Sequence, residues 1–171
     1  MKAAAGTADE RIDGGRVSLH RLREADLATI DAWYEEAAGA AYEDRAFQEL
    51  RRQVDAESAG LLAIERADED EAIGLLEYVV RDAWLTVPFI ALTKVYRGWG
   101  YGSEAVRLVE EWAVHERLAT RSRAEVDRRN GLGLYFWLRL GYRPAGQGEL
   151  DSPPDGGRDM MPMVRTPNPD S

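Results

Sequence analysis

Hydrophobic and polar positions change period several times along this chain, and each change marks an element. Val17 and Leu19 alternate with polar residues over Arg16–Leu22, which predicts a first strand. From Glu24 to Ala38 the period lengthens. Leu27, Ile30, Tyr34 and Ala37/Ala38 share one stripe with Trp33 at its margin, as on an amphipathic helix. A second short helix is expected over Ala46–Val54. Gly60–Arg66 and Ala72–Arg81 read as strands rich in Leu, Ile and Val, joined by a solvated tip at Ala67–Glu71 that lacks the spacing of a calcium loop. Ala83–Thr93 is another apolar strand. Pro88 inside it cannot donate to a ladder, so it marks an edge or a bulge.

Glycine-rich Gly98–Ser103 then leads into a helix reaching about Glu116, with the stripe Ala105, Leu108/Val109, Trp112 and Ala113. Ser122–Val126 predicts a strand, and Asn130–Leu140 a helix stopped by Gly141. Tyr142–Gln147 and Met160–Arg165 are the closing strands. Small and polar residues make Met1–Gly15 a flexible tail, and Thr166–Ser171 a second one, around a single domain at residues 16–165. The order of elements is that of a mixed α/β domain.

Composition narrows the chemistry. The 171 residues suffice for one buried core. Against 22 basic side chains stand 31 acidic ones, a net charge of -9, which argues against a nucleic-acid partner and fits a cationic one. The absence of cysteine excludes disulfides, thiolate nucleophiles and thiolate metal sites. His20 and His115 are the two histidines and lie far apart, so neither a metal site nor a Ser–His relay is expected. No apolar run resembles a signal peptide or approaches the roughly 18 residues of a membrane span. A soluble cytoplasmic protein without a membrane partner is expected.

The most informative stretch is Leu92–Ala105, where a strand runs into alternating glycines and directly into an amphipathic helix. Glycines allow positive φ, so successive N–H groups can converge on an anion, and the helix start adds its own unpaired amides. Phosphate binding follows. A P-loop is excluded because no Gly-Lys-Ser/Thr closes the loop. Gly98, Gly100 and Ser103 match a dinucleotide fingerprint imperfectly, and only about 70 residues remain for a doubly wound sheet.

A third reading accounts for more of the chain. Arg97-Gly98-Trp99-Gly100-Tyr101-Gly102, approached through Tyr96, resembles the Gln/Arg-x-x-Gly-x-Gly/Ala element of the GNAT superfamily of N-acetyltransferases. Asn130, followed by a helix ending in Leu140-Gly141-Tyr142, resembles that family's second element, in the expected order and separation. The resemblance covers about Val17–Arg165. It implies a GNAT-like fold: a mostly antiparallel six- to seven-stranded sheet with a splayed pair of strands and about four flanking helices.

The resemblance also implies acetyl-CoA as co-substrate, no metal, and direct attack of a primary amine, from a small molecule or a peptide, on the thioester. Backbone groups of Leu92, Thr93 and Lys94 would pair with the pantetheine arm, and amides from Arg97, Gly98, Trp99, Gly100, Tyr101, Gly102 and Ser103 would hold the pyrophosphate. Asn130 would bond the arm or simply cap its helix. An N–H near Leu92 would stabilise the oxyanion. Where many members carry a proton-donating tyrosine, counting back from Gly141 reaches Trp137, whose indole can donate a hydrogen bond to the cofactor but cannot act as a general acid. Glu77 and Asp127 are the candidate bases. Trp33, Tyr42, Asp44 and Tyr78 fall where the family shapes its acceptor pocket. The pattern is compatible with a homodimer, and with a catalytically weak CoA sensor on the same fold.

Overall fold

The computed structural model of the chain describes residues 11–38, 60–150 and 159–168. Its strands are β1 (Ile12–Asp13), β2 (Val17–Arg21), β3 (Leu61–Arg66), β4 (Ala72–Arg81), β5 (Trp84–Leu92), β6 (Arg121–Asp127), β7 (Arg143–Pro144) and β8 (Met160–Arg165). The helices among the described residues are α1 (Glu24–Asp31), α2 (Tyr34–Ala38), α3 (Tyr101–His115) and α4 (Gly131–Arg139), with a 3₁₀ turn at Lys94–Tyr96. The expected helix at Ala46–Val54, with Tyr42 and Asp44, lies outside the described residues.

The strands form one sheet in the order β1-β2-β3-β4-β5-β6-β8-β7. β5 and β6 run parallel, whereas β1–β2, β2–β3, β3–β4, β6–β8 and β7–β8 are antiparallel. Eight strands exceed the expected six or seven because two-residue strands form at both edges. β1 arises inside the segment that the sequence pattern assigns to a tail. Arg11 anchors it through Nη1 to Glu65 Oε1 (2.9 Å), and Gly14 N–H closes a turn on the Val17 carbonyl (2.9 Å).

Two elements differ in detail from the periodicity. The stripe Leu27, Ile30 and Tyr34 is buried as its spacing requires, but the helix is interrupted. The Trp33 amide bonds back only three residues, to the Ile30 carbonyl (3.1 Å), and this tighter turn separates α1 from α2. Pro88 is at neither an edge nor an end, since β5 lies between β4 and β6. The parallel register with β6 instead stops one residue before it, running from Trp84–Arg121 to Val87–Ala124. The missing N–H of Pro88 therefore coincides with the end of the β6 register.

The chain divides into two compact units. One comprises the described parts of Ala5–Glu77 with Phe89–Val109, the other those of Tyr78–Pro88 with Glu110–Ser171. In the first, α1 and α2 lay Leu27, Ile30 and Tyr34 against Leu61, Ala63 and Leu75 of β3 and β4, with Trp33 and Phe89 at the margin. Each large aliphatic side chain removed from water there contributes about 1.5–3 kcal/mol before entropy is counted. In the second, Tyr78 packs edge-on against Trp112 of α3 (centroids 5.3 Å apart), and Trp137 of α4 against Tyr142 (4.8 Å). No helix among the described residues is long and apolar enough to cross a membrane.

Candidate functional site

The glycine-rich segment lies wholly in the first unit and is built from three local events. After β5, the Thr93 amide bonds the Ile73 carbonyl (2.9 Å), and Lys94–Tyr96 makes one 3₁₀ turn. Gly98 and Gly100 then take φ of +82° and +86°, a region costly for any residue with a Cβ. The Gly100 carbonyl accepts the Glu104 amide (3.0 Å), so Gly100 stands as the residue before the first turn of the 15-residue α3. The amides of Tyr101, Gly102 and Ser103 thus have no acceptor within the helix. Lys94 and Val95, just before the segment, are exposed, and the indole of Trp99 within it is 69% exposed.

Arg97 donates Nε to the Leu92 carbonyl (2.9 Å) and Nη2 to Glu36 of α2 (3.3 Å). Of the backbone groups expected to meet the pantetheine arm, the Leu92 carbonyl and the Thr93 amide are thus engaged within the protein. Arg16, not singled out by the sequence, also reaches this segment. Its Nη1 donates to the Trp99 carbonyl (2.9 Å), its Nε to Glu104 Oε2 (2.8 Å), and its guanidinium lies over the Tyr101 ring at 4.9 Å. Glu104 accepts in return from the Arg16 amide (2.5 Å) and the Val17 amide (3.3 Å). Burial works to raise the Glu104 carboxyl, but these bonds outweigh it and leave the group more acidic than usual.

Glu77, on β4 of the same unit, is half-buried and stands opposite Leu61 in the β3–β4 register. It therefore shares a sheet face with Leu61, against which α1 and α2 pack. Trp33 is half-buried at the margin of that core.

The remaining expected residues belong to the second unit. Asn130 precedes α4, and its Oδ1 accepts the Gly133 amide (2.9 Å). A Cβ built on Gly133 would come within 2.5 Å of Asn130 Nδ2, so the close approach that removes a side chain there is made by the cap itself. Trp137 is 4% exposed and edge-on to Phe136 and Tyr142. Tyr135 is exposed, beneath the Arg139 guanidinium. Tyr78 is buried against Trp112.

Asp127 is bound by Arg129, whose Nε (3.0 Å), Nη2 (2.8 Å) and amide (2.9 Å) all donate to it. The Arg129 guanidinium and then its amide hold the Asp127 carboxyl down at about 2. The family-like Tyr142 has an unforeseen role. Its hydroxyl donates to buried Glu110, which also accepts from Arg165. Burial, then the Glu110 charge, push the Tyr142 phenol well above its usual range.

These features can now be set beside known proteins. A model of the acetyltransferase (GNAT) family matches residues 27–142, from α1 through the glycine segment to Tyr142. The chain belongs to the GNAT acetyltransferase family. No sequence match to a curated protein was found. Solved GNAT structures share the fold at low identity. A GNAT-family acetyltransferase from Bacillus anthracis is 15% identical with a TM-score of 0.72, covering 91% of this chain and 96% of that one. An acetyltransferase from Salmonella typhimurium that modifies the N-terminal serine of a 50S ribosomal subunit protein is 13% identical with a TM-score of 0.73, covering 93% and 100%. The PaiA N-acetyltransferase of Thermoplasma acidophilum, solved in complex with coenzyme A, is 15% identical with a TM-score of 0.64, covering 89% and 99%.

Within this GNAT chain, sequence spacing located the glycine segment because its residues are consecutive. Arg16 and Glu104 are 88 positions apart, and Arg97 and Glu36 are 61 apart. The only sequence signal for the first pair was an acidic residue in the opening turn of a helix.

Proposed function

We propose that this GNAT acetyltransferase is an acetyl-CoA-dependent N-acetyltransferase whose acceptor is a primary amine, on a peptide or a small molecule. One observation carries the reading: two positive-φ glycines deliver the chain into α3, whose first amides have no acceptor of their own. That arrangement suits the doubly charged pyrophosphate of coenzyme A. Bound there, acetyl-CoA supplies a thioester-activated acetyl group.

The chain's residues do the rest. Loop amides from Arg97 through Ser103, with Lys94, hold the phosphates. β5 beyond Val87, where the β6 register has ended, offers backbone to the pantetheine arm, as in strand addition. The Leu92 N–H donates to the carbonyl oxygen under attack. Glu77 takes the proton of an ammonium acceptor, directly or through water, while Asp127 is set aside by its bonds to Arg129. Holding the reactants in line supplies much of the remaining rate. A peptide amine is the favoured acceptor. The similar Salmonella protein modifies an N-terminal serine, and a net charge of -9 attracts a cationic amine.

A second reading, a CoA-binding sensor, is favoured by Trp137, which is buried where many relatives carry a tyrosine able to donate a proton. Thiol release from acetyl-CoA in the presence of peptide and small amines separates the two. Turnover on any amine supports the enzyme, and binding without turnover supports the sensor. In both cases Gly100→Asp, which strains a positive φ and forces a side chain against Arg16 within the loop, should abolish coenzyme A binding in calorimetry. Unchanged affinity would remove the glycine segment from the site.

A further inference from the structure

We infer that Arg16 is a positioning residue for the phosphate-binding loop, acting through the carbonyl of Trp99. The inference rests on reading Arg97–Ser103 as the grip on the cofactor's pyrophosphate. Arg16 is 83 residues from Trp99 in sequence, yet its guanidinium is held on three sides there: by the Trp99 carbonyl, the Glu104 carboxylate and the Tyr101 ring. Glu104 in turn binds the Arg16 and Val17 amides, so the start of β2 and the first turn of α3 are tied together reciprocally.

The consequence follows from peptide planarity. In a trans peptide the carbonyl of Trp99 and the N–H of Gly100 point in opposite directions. Fixing that carbonyl on Arg16 turns the Gly100 N–H away from Arg16, toward the open side of the loop. It also keeps the carbonyl's negative end out of a hollow meant for an anion. Glycines at 98 and 100 make this control necessary. Their backbones rotate at little cost, so the loop does not hold its own peptide orientation. Arg16 packs close enough to do so, since a Cβ built on Gly100 would stand 3.1 Å from Arg16 Nη2.

The test is calorimetric, with coenzyme A and with S-acetyl-pantetheine, which lacks the pyrophosphate. Arg16→Ala should weaken coenzyme A roughly tenfold, the scale of one oriented hydrogen bond. Binding of S-acetyl-pantetheine should stay unchanged, although the melting midpoint falls with the loss of the Glu104 pairing. Arg16→Gln, which keeps an N–H donor for the Trp99 carbonyl but no charge, should recover part of the loss. Glu104→Gln should also weaken coenzyme A, although it removes a negative charge beside an anion site. Tighter binding by Glu104→Gln, or no effect of Arg16→Ala, would overturn the inference. So would equal losses for the two ligands, or a Gln variant no better than Ala. A wild-type protein that binds no coenzyme A would instead overturn the reading of the loop.

Discussion

At the scale of single residues, several polar side chains owe their behaviour to partners distant in sequence. Asp26 is buried in α1, bonded to His20 Nε2 (3.0 Å) and to the Arg23 amide (2.9 Å). Burial alone would raise its carboxyl, but the bonds from His20 and Arg23 outweigh it and leave the group lowered. Such a group stabilises the fold fully above the unfolded-state value of about 3.9, and the benefit is lost as pH falls through the lower folded value. Asp26→Asn should therefore be less stable than wild type at pH 6. Its urea midpoint should also fall less steeply below about pH 4. Parallel midpoint curves for the two proteins would refute this account. None of this network was legible in the sequence, where His20 and Asp26 are merely two polar residues near a helix start. Gly133 shows the same limit. Glycine weakens a helix interior, and the reason for it here, the Asn130 amide occupying the place of a Cβ, depends on a cap that only the fold shows.

At the scale of elements, periodicity was a good guide wherever one face is buried. The cores of β2, β3, β4, β5, β6 and β8 and the stripes of α1 and α3 follow the apolar spacing. The discrepancies fall where local hydrogen bonding competes with it, as at the Ile30–Trp33 turn. β4 and β5 are joined by Asp82 and Ala83 alone, with φ of +51° and +62°. Two successive positive φ values are what a tight hairpin matching strand twist requires, and they favour Asn-Gly. Alanine holds that conformation at a cost of about 1 kcal/mol or more. Ala83→Gly should therefore raise stability by about 0.5–1 kcal/mol net of the entropy glycine loses on folding. A lower melting midpoint would count against the strain. Tyr142 shows that a motif position can be legible while its role is not. Leu140-Gly141-Tyr142 marks the end of α4, but the Tyr142–Glu110–Arg165 cluster depends on α3 and β8.

At the scale of the whole molecule, the family and its fold were legible because two short motifs occur in order with the right elements between them. The acceptor was not: no consecutive motif points to it, and Tyr42 and Asp44, expected near it, lie outside the described residues. Within the net charge of -9, Arg97 and Arg16 at the glycine segment are each paired with a carboxylate, Glu36 and Glu104. β4, β5 and α3 are each continuous through both compact units: the chain changes unit after Glu77, after Pro88 and after Val109. Three unbroken elements in common should make unfolding a single cooperative transition. Tryptophan fluorescence and far-UV circular dichroism should then share one urea midpoint, and two separated midpoints would contradict it.

The same interleaving governs how the polypeptide can acquire its structure during synthesis. The first unit needs residues up to Val109, but it encloses a stretch, Tyr78–Pro88, whose parallel partner β6 begins only at Arg121. A nascent chain that has cleared the ribosome only as far as the glycine segment therefore exposes half of β5 without its neighbour. That is a hydrophobic strand awaiting a later one, the kind of exposed edge that makes a folding intermediate prone to aggregate.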